Sequence, residues 1–318
     1  MNVSIDIVIV NWNAGPQLRD CLDSIIAADR DGLEIKRVVL VDNASSDGSS
    51  DGLQAYRFPL TVIRNTKNRG FGAACNQGAK DSCSDYLLFL NPDTRLFSDS
   101  LSKPLAFMEQ ADNQNIGIAG IQLVDNNSSV SRTCSRFPTP SMIFSKMLGL
   151  DRLFPSIFPS YFLIDWDHED SRLVDHVIGA FFLVRRSLFN IMNGFDERFF
   201  VYLEDLDFSL RARKSGWRSY YLAEVQAFHK GGGTSENIKA TRLFYALRSR
   251  ILYGYKHFGW WAGTGLMAGT LFLEFLSRFV LASAHRSRKE INDLIDGYSM
   301  LLREIPNLLK NSSFRKDS

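Results

Sequence analysis

Cysteine is scarce in this 318-residue chain, and Cys21, Cys75, Cys83 and Cys134 form no Cys-x-x-Cys pair and have no His at zinc-ligand spacing. That scatter excludes a disulfide framework and a structural zinc site, so the four read as reduced core or surface thiols. A Walker-type lysine loop is also missing, as are internal repeats and low-complexity tracts. MNVSIDIVIV has no basic leader before its apolar run and no small-residue cleavage site. It is expected to be a first strand and not a signal peptide, leaving the front of the protein in the cytoplasm.

What is present is a large apolar inventory, 45% of residues, enough for a sizeable core. The formal net charge of +2 conceals a division at Asn237: residues 237 to 318 hold thirteen Lys or Arg against six Asp or Glu, while residues 1 to 236 hold 24 against 29. An acidic front and a basic back suit different partners, and a basic tail serves nucleic acid or anionic lipid equally well. Short aliphatic runs recur at Ile5 to Val10, Arg37 to Val41, Leu60 to Ile63, Tyr86 to Leu90 and Ile116 to Leu123, each followed by turn residues and a helix-like stretch. This alternation predicts βαβ units, an α/β fold with a largely parallel sheet, and ligands beyond the carboxyl ends of the strands. Asp125 to Leu173, rich in proline and aromatic residues, reads as a loop-rich insertion that shapes a pocket. Regular structure is expected again at Val174 to Val184, in a helix N-capped by Ser187, in a helix over Leu203 to Ser215 and in a strand over Tyr220 to Phe228.

In the tail, Leu243, Phe244, Leu247, Ile251, Leu252 and Tyr255 recur at helical spacing beside Arg242, Arg248, Arg250 and Lys256, the pattern of a basic amphipathic helix. Trp260 to Leu273 is uncharged and mostly apolar, but Glu274 and Arg278 interrupt its continuation to Ala284. Spanning needs about 20 apolar residues, and a central charge costs roughly 2.5–3.5 kcal/mol. Peripheral or re-entrant binding to an anionic membrane surface is therefore expected, with a helix hairpin packed on protein or on a second copy of the chain as the other reading. The Trp, Leu and Phe density of the tail favours lipid over nucleic acid.

Candidate chemistry clusters at strand ends. Asn11 and Asn13 follow the first strand, Asp42 ends the second, Asn65, Asn68 and Gly70 follow the third, and Asn91 and Asp93 follow the fourth. Asp42 can accept from a nucleoside imide or ribose hydroxyl, and VDNASSDGS reads equally as a turn and helix cap. Gly70-x-Gly72 lacks the third glycine of a dinucleotide fingerprint and suits close backbone approach or a phosphate at a helix start. Asp93 is a candidate ligand for Mg²⁺ or Mn²⁺, hard cations that choose oxygen and keep waters. Glu204, Asp205 and Asp207 open a helix among Phe199, Phe200, Tyr202, Leu206 and Phe208. Acidic residues suit a first helical turn, and aromatic walls can tune such a carboxylate towards a general base. His229, ahead of Lys230 and a flexible flap at Gly231 to Gly233, can complete a metal or diphosphate site.

The ordered segments IVNWN, VDNASSDGS, NRGFGAACNQG, LFLNPDT, GAFFLVRR, GFDERFFVYLEDLDFSLRARKSGW and FHKGGG together resemble inverting glycosyltransferases of family 2, in particular their bacterial rhamnosyltransferase-like branch. The resemblance implies a GT-A fold (a mixed, mostly parallel sheet with flanking helices) over residues 1–236, with a nucleotide-sugar half over about 1–124 and an acceptor half over 125–236. Residues 237–318 are then a membrane-associating or oligomerising helical tail. It further implies that Asp42 contacts the nucleoside, that Asp93 holds the metal with Asn91 at the first position of the family's Asp-x-Asp signature, that Asp205 is the catalytic base beside Glu204, and that His229 lies near diphosphate and metal. The implied reaction moves a sugar, L-rhamnose from dTDP-L-rhamnose first and UDP sugars such as UDP-galactofuranose next, to a glycan or polyprenyl-diphosphate-linked acceptor at the inner face of the cell membrane.

Overall fold

The computed structural model describes residues 3–56, 58–231 and 238–311. The chain packs as two compact units. The first comprises Met1–Phe137, Phe162–Phe200 and Glu204–Thr234; the second comprises Pro138–Tyr161, Val201–Leu203 and Ser235–Ser318. The strands are β1 (Val3–Asn11), β2 (Leu33–Asp42), β3 (Leu60–Arg64), β4 (Tyr86–Leu90), β5 (Thr94–Leu96), β6 (Ile116–Val124), β7 (Cys134–Ser135), β8 (Arg172–Val174), β9 (His176–Val177), β10 (Phe181–Arg185) and β11 (Arg218–His229). The helices are α1 (Gln17–Ala27), α2 (Phe71–Ala79), α3 (Ser102–Glu109), α4 (Pro140–Met147), α5 (Leu150–Leu153), α6 (Arg186–Ile191), α7 (Glu204–Lys214), α8 (Lys239–Gly269), α9 (Phe275–Ala284) and α10 (Arg288–Asn311).

In the first unit the sheet runs β3-β2-β1-β4-β10-β6-β11-β5, with β8 on β11 and a separate β7–β9 pair. β1 pairs in parallel with β2 and β4, β2 with β3, and β6 with β11, while β10 lies antiparallel between β4 and β6. The period-two rule of strands explains the burial: Ile5, Ile7 and Ile9 join Leu18, Leu22 and Ile25 of α1 on one face, and Val8 and Val10 join Ala74 and Cys75 of α2 on the other. Each of these Val, Leu and Ile side chains contributes about 1.5–3 kcal/mol on full burial. On that second face Phe208 of α7 packs on Phe195, Phe189 and Phe182 with ring centroids 5.3, 5.7 and 5.8 Å apart. This aromatic cluster holds α7 on the sheet.

One local expectation needs correction. Ser187 is not a cap: β10 passes directly into α6, with Arg185 at the N-cap position and no side-chain capping bond. Arg185 is held there by Ile116 O at 2.9 Å and the Tyr86 hydroxyl at 2.7 Å. The helix expected from about Leu203 to Ser215 is present as α7, Glu204–Lys214; it starts at Glu204 because Tyr202 and Leu203 both have positive φ, 69° and 68°. Regular structure resumes at Val174 to Val184 as expected, as the end of β8, then β9 and β10.

In the second unit α8 bends sharply at Gly259, whose φ of 83° and ψ of 175° are those a glycine adopts without penalty. The arms before and after it fold back on each other: Tyr255 Oη and Thr264 Oγ1 are 3.2 Å apart, and a Cβ on Gly254 would lie 2.7 Å from Leu266. A π-helical turn, Thr270–Glu274, follows. Glu274 is buried between Arg250, which reaches both its carboxylate oxygens, and Arg278, whose Nε and Nη2 lie 3.0 and 2.9 Å from Oε1. α10 packs against α8, with Arg248 and Glu304 3.2 Å apart, and Ile143 and Met147 of α4 cluster with Leu266. The stretch Lys239–Ala284 is long and apolar enough to cross a membrane by length and composition alone. Trp260, Trp261, Phe272, Leu276 and Val280 are exposed, Trp261 at 83%.

Candidate active site

β1 and β2 end side by side, with Asn11 opposite Asp42. Asn11 is fully buried; its Nδ2 donates to Ser49 Oγ at 2.8 Å and Ser45 Oγ at 3.0 Å, and its Oδ1 is left without a hydrogen-bond donor. Asn13, left-handed at φ 54°, accepts the Ser46 N–H on Oδ1 at 2.7 Å. The Asp42 carboxylate accepts from the Ser45 N–H at 3.1 Å, the Ser50 hydroxyl at 2.6 Å and Arg64 Nη1 at 3.4 Å. VDNASSDGS is therefore a loop wound around its own acidic residue, and the turn chemistry read from its composition is present.

The next strand end is organised by Asn43, a residue inside that motif which composition did not single out. Its Oδ1 accepts from the Arg69 N–H at 3.0 Å and Asn65 Nδ2 at 3.1 Å, and its Nδ2 donates to Asn68 Oδ1 at 2.8 Å. Asn68 Oδ1 also accepts the Gly70 N–H at 2.9 Å, and Asn65 exchanges amide bonds with Gln77 at 3.0 and 3.1 Å. Gly70 has φ 88°, and a Cβ there would stand 2.4 Å from Phe200 O, the atom that accepts the Phe71 N–H at 2.6 Å. Close backbone approach, one of the two roles read for this glycine, is thus realised. Backbone bonds from Asn43 to Asn11 O and from Asn65 to Asp42 O, both 2.8 Å, join the two loops.

Asp93 and His229, separated by 136 positions in the chain, meet because β5 pairs antiparallel with β11, Thr94 opposite His229. Asp93 Oδ1 lies 3.4 Å from His229 Nε2, and both side chains are about nine-tenths buried. Asp93 O accepts the Lys230 N–H at 3.2 Å, and an open cleft of about 340 Å³ is lined by Asp93, Arg95, Phe228 and Lys230 with Gln17, Asp20 and Asn126. Gly232, Gly233 and Asn237, in the expected flap and at the expected tail boundary, lie outside the described residues. Among the described residues no three His, Cys, Asp or Glu side chains group to hold a metal. One carboxylate and one imidazole nevertheless fit a divalent cation that takes its remaining ligands from a diphosphate and water. A larger hollow of about 510 Å³, lined by Asn76, Lys80 and Glu197 among others, shares no residue with this site.

Asp205, 17% exposed at the start of α7, accepts the Leu206 N–H on Oδ1 and the Gly179 N–H on Oδ2, both at 2.8 Å. The next residue, Ala180, accepts the Asn91 N–H at 3.0 Å. Two consecutive residues therefore connect Asp205 to the end of β4 from which Asp93 projects. Glu204 is 4% exposed; burial, then the Asp205 charge, pushes its pKa well above the usual carboxylate value, and its Oε2 has no hydrogen-bond donor. The two adjacent carboxyls thus sit in different settings, Glu204 enclosed and Asp205 held by two backbone N–H groups. Asp207 instead binds Arg211, Nε to Oδ2 at 2.8 Å, and Arg211 donates to Met192 O and Gly194 O at 2.7 and 2.9 Å, which fastens α7 to the turn after α6. His176 lies against Asp205, its Nε2 3.6 Å from Oδ2. Sequence reasoning missed it, since a lone His in an apolar run carries no partner signal.

This sheet, with its loops gathered beyond the strand ends, defines a protein of the GT-A type, and the solved mannosyltransferase PcManGT of Pyrobaculum calidifontis, in complex with GDP-Man and Mn²⁺, matches it with a TM-score of 0.55 at 14% identity over 98% of this chain and 84% of that one. The chain belongs to glycosyl transferase family 2, whose model matches residues 6–191. Its relatives include the N-acetylglucosaminyl-diphospho-decaprenol L-rhamnosyltransferase of Mycobacterium tuberculosis, 27% identical over 92% of this chain and 98% of that protein. Rhamnosyltransferase WbbL of Escherichia coli is 30% identical over 53% of this chain and 61% of its own length.

Proposed function

We propose that the chain transfers L-rhamnose from dTDP-L-rhamnose to a polyprenyl-diphosphate-linked glycan at the inner face of the membrane, in the synthesis of a surface polysaccharide. The observation that carries the chemistry is the connection of Asp93, paired with His229, to Asp205 through Gly179 and Ala180. The choice of sugar and acceptor is supported by the near full-length likeness to the mycobacterial transferase.

In this reading Asn11, Asn13, Asp42, Asn65, Asn68, Gly70 and Asn91 form the nucleotide side. Asn11 Oδ1, buried without a donor, leaves an acceptor unsatisfied at this strand end, which supports a role for it in the nucleotide side. Asp93 and His229 would hold Mg²⁺ or Mn²⁺, which would supply positive charge beside the nucleotide diphosphate. Asp205 removes the acceptor hydroxyl proton as that oxygen attacks the anomeric carbon from the face opposite the diphosphate, so configuration inverts. Burial disfavours the charged form of Glu204 beside the base.

A thermal-shift panel of nucleotides and nucleotide sugars with Mn²⁺ tests the donor. At about 100 times Kd a ligand adds roughly 2.7 kcal/mol, which for a unit of this size is about 5–10 °C. dTDP and dTDP-L-rhamnose are expected to produce that shift. Selective stabilisation by UDP sugars replaces the rhamnosyl reading, and binding without turnover on any donor replaces the enzyme with a sugar-binding protein.

The tail supplies the membrane contact. Trp260 and Trp261 stand at the bend of the α8 hairpin, Phe272, Leu276 and Val280 are exposed on the returning arm, and Arg286, Arg288 and Lys289 follow. An exposed apolar strip beside basic residues suits an interface with anionic lipid, and Arg250 and Arg278 neutralise the charge of Glu274 that argues against deeper insertion. Replacing both Trp260 and Trp261 with Ser is expected to weaken flotation with anionic vesicles at least about tenfold, given about 1.5–3 kcal/mol for each large apolar side chain. Undiminished flotation rejects this role.

A further inference from the structure

In the second unit, the segment from Leu148 to Ser160 is a loop whose two ends are anchored on the same helices. At its start Ser277 Oγ of α9 donates to Met147 O at 2.9 Å, and Ile143 and Met147 of α4 cluster with Leu266 of α8. Gly269 permits that approach, since a Cβ there would stand 2.7 Å from the Phe144 ring. At its end Tyr161 lies within electrostatic reach of Arg250 and Glu274, and the Lys146 ammonium stands 5.7 Å from the Tyr161 ring. Lys146 also pairs with Asp151 at 3.6 Å, which ties the first turn of the loop to α4. Between the anchors Gly149, at φ 70°, turns the chain into α5, backbone bonds from Phe154 to Leu150 O and from Ile157 to Phe154 O close two further turns, and Pro155 and Pro159 fix their own φ. Little freedom is left to lose on binding.

What this shaped loop displays is apolar. Leu153, Phe154 and Ile157 are 69, 52 and 70% exposed, and Leu148 is exposed as well. Soluble surfaces scatter such side chains singly, whereas a group of them on one short loop marks an interaction site. The only acidic residue of 138–161 is Asp151, which is buried, while Arg152 stands exposed beside the patch. The exposed charge of the loop is therefore positive alone. Its neighbour on α9 is apolar too: Val280 and Leu281, three and four positions beyond Ser277, share the helix face that meets Met147 and are exposed. We propose that the loop from Leu148 to Ile157 inserts its apolar side chains among the acyl chains of an anionic bilayer, forming one footprint with the α8–α9 hairpin. The proposal rests on the membrane reading of the tail given above. Aliphatic and aromatic side chains beside an exposed guanidinium, with no exposed carboxylate in 138–161, match acyl chains under anionic headgroups. A single strip leaves a helix hairpin free to roll about its axis. A second contact from a separate part of the chain fixes which side of this unit faces the lipid.

Flotation of the full chain with vesicles of phosphatidylglycerol and phosphatidylcholine tests this. The triple variant Leu153→Ser, Phe154→Ser, Ile157→Ser is expected to bind the vesicles at least about tenfold more weakly with its melting temperature unchanged, since these side chains contribute little to the fold. Arg152→Glu is expected to weaken binding about three- to tenfold at low salt, an effect that high salt removes. A second readout is local. Cys83 is exposed and the other three cysteines are buried, so a chain with Cys83→Ser and Ile157→Cys takes a polarity-sensitive dye at position 157. Its emission is expected to move to the blue on the vesicles. A triple variant that binds within about threefold of wild type, or an emission that stays in place, overturns the proposal. That holds even where Trp260→Ser with Trp261→Ser abolishes flotation, because the tail then binds alone. A blue shift that grows with protein concentration in the absence of vesicles, with dimers in sedimentation, assigns the patch to a second copy of the chain and overturns the proposal as well. A wild type that does not float rejects the membrane reading itself, and this proposal with it.

Discussion

Asp205→Asn is expected to lower kcat by about 10²- to 10⁴-fold while nucleotide binding stays within about twofold, the range that a positioned general base contributes. The substitution keeps the shape of the side chain but removes the proton acceptor. It also disturbs its anchoring, because the two carboxylate oxygens accept the Leu206 and Gly179 N–H groups and the new amide nitrogen can accept neither. One local hydrogen bond is worth about 1 kcal/mol, so most of the expected loss belongs to the chemistry. Steady-state transfer kinetics beside nucleotide-induced thermal shifts separate the two. Retention of more than about a third of wild-type kcat means that another group is the base.

Removing the carboxylate from the proposed metal pair, Asp93 and His229, comes second. In Asp93→Ala, His229 is left as a single imidazole at the site, and a cation shared with a diphosphate loses its one charged protein ligand. The expected result is a fall in kcat/KM of about 10²- to 10³-fold, corresponding to roughly 2.7–4 kcal/mol of lost charge stabilisation, of the size seen when a single electrostatic partner is removed. Nucleotide-induced stabilisation that depends on Mn²⁺ and is abolished by EDTA in the wild type should become insensitive to both. The backbone bond from Lys230 to Asp93 O does not involve the lost carboxylate, so the β5–β11 edge is expected to remain. Equal nucleotide binding with and without metal in the wild type would falsify the metal role.

Much of the catalytic architecture was legible because buried parallel strands leave a direct mark. IDIVIV and YLLFL are nearly continuous apolar runs, since both faces of β1 and β4 are covered, and the polar residues that end them lie at the strand ends. β5 left no such mark. It is three residues long and exists through its pairing with β11, a contact between segments more than 130 residues apart. That pairing is also what brings Asp93 to His229, so their meeting could be expected from family resemblance but not from spacing. His176 and Gly179 were illegible for a related reason: one meets Asp205 through a ring nitrogen and the other through a backbone N–H, and neither contact restricts the surrounding sequence. In the tail, helical periodicity identified the first arm of α8, but the reversal at Gly259 depends on a single positive φ. The proline-rich stretch read as part of the acceptor half packs in its middle portion, Pro138–Tyr161, with the C-terminal helices.

The join at Gly179 and Ala180 also limits how this chain can vary. Asn91 binds one of these residues and Asp205 the other, and β10 begins immediately afterwards with Phe181 and Phe182 pointing to opposite faces of the sheet. An insertion of one residue here would exchange the two faces of β10 and carry Phe182 away from Phe208, the ring that seats α7. Composition in this segment can drift wherever a backbone group does the binding. Its length cannot, and in relatives that keep the chemistry the count of residues from Gly179 to Phe182 should hold even where the side chains between them do not.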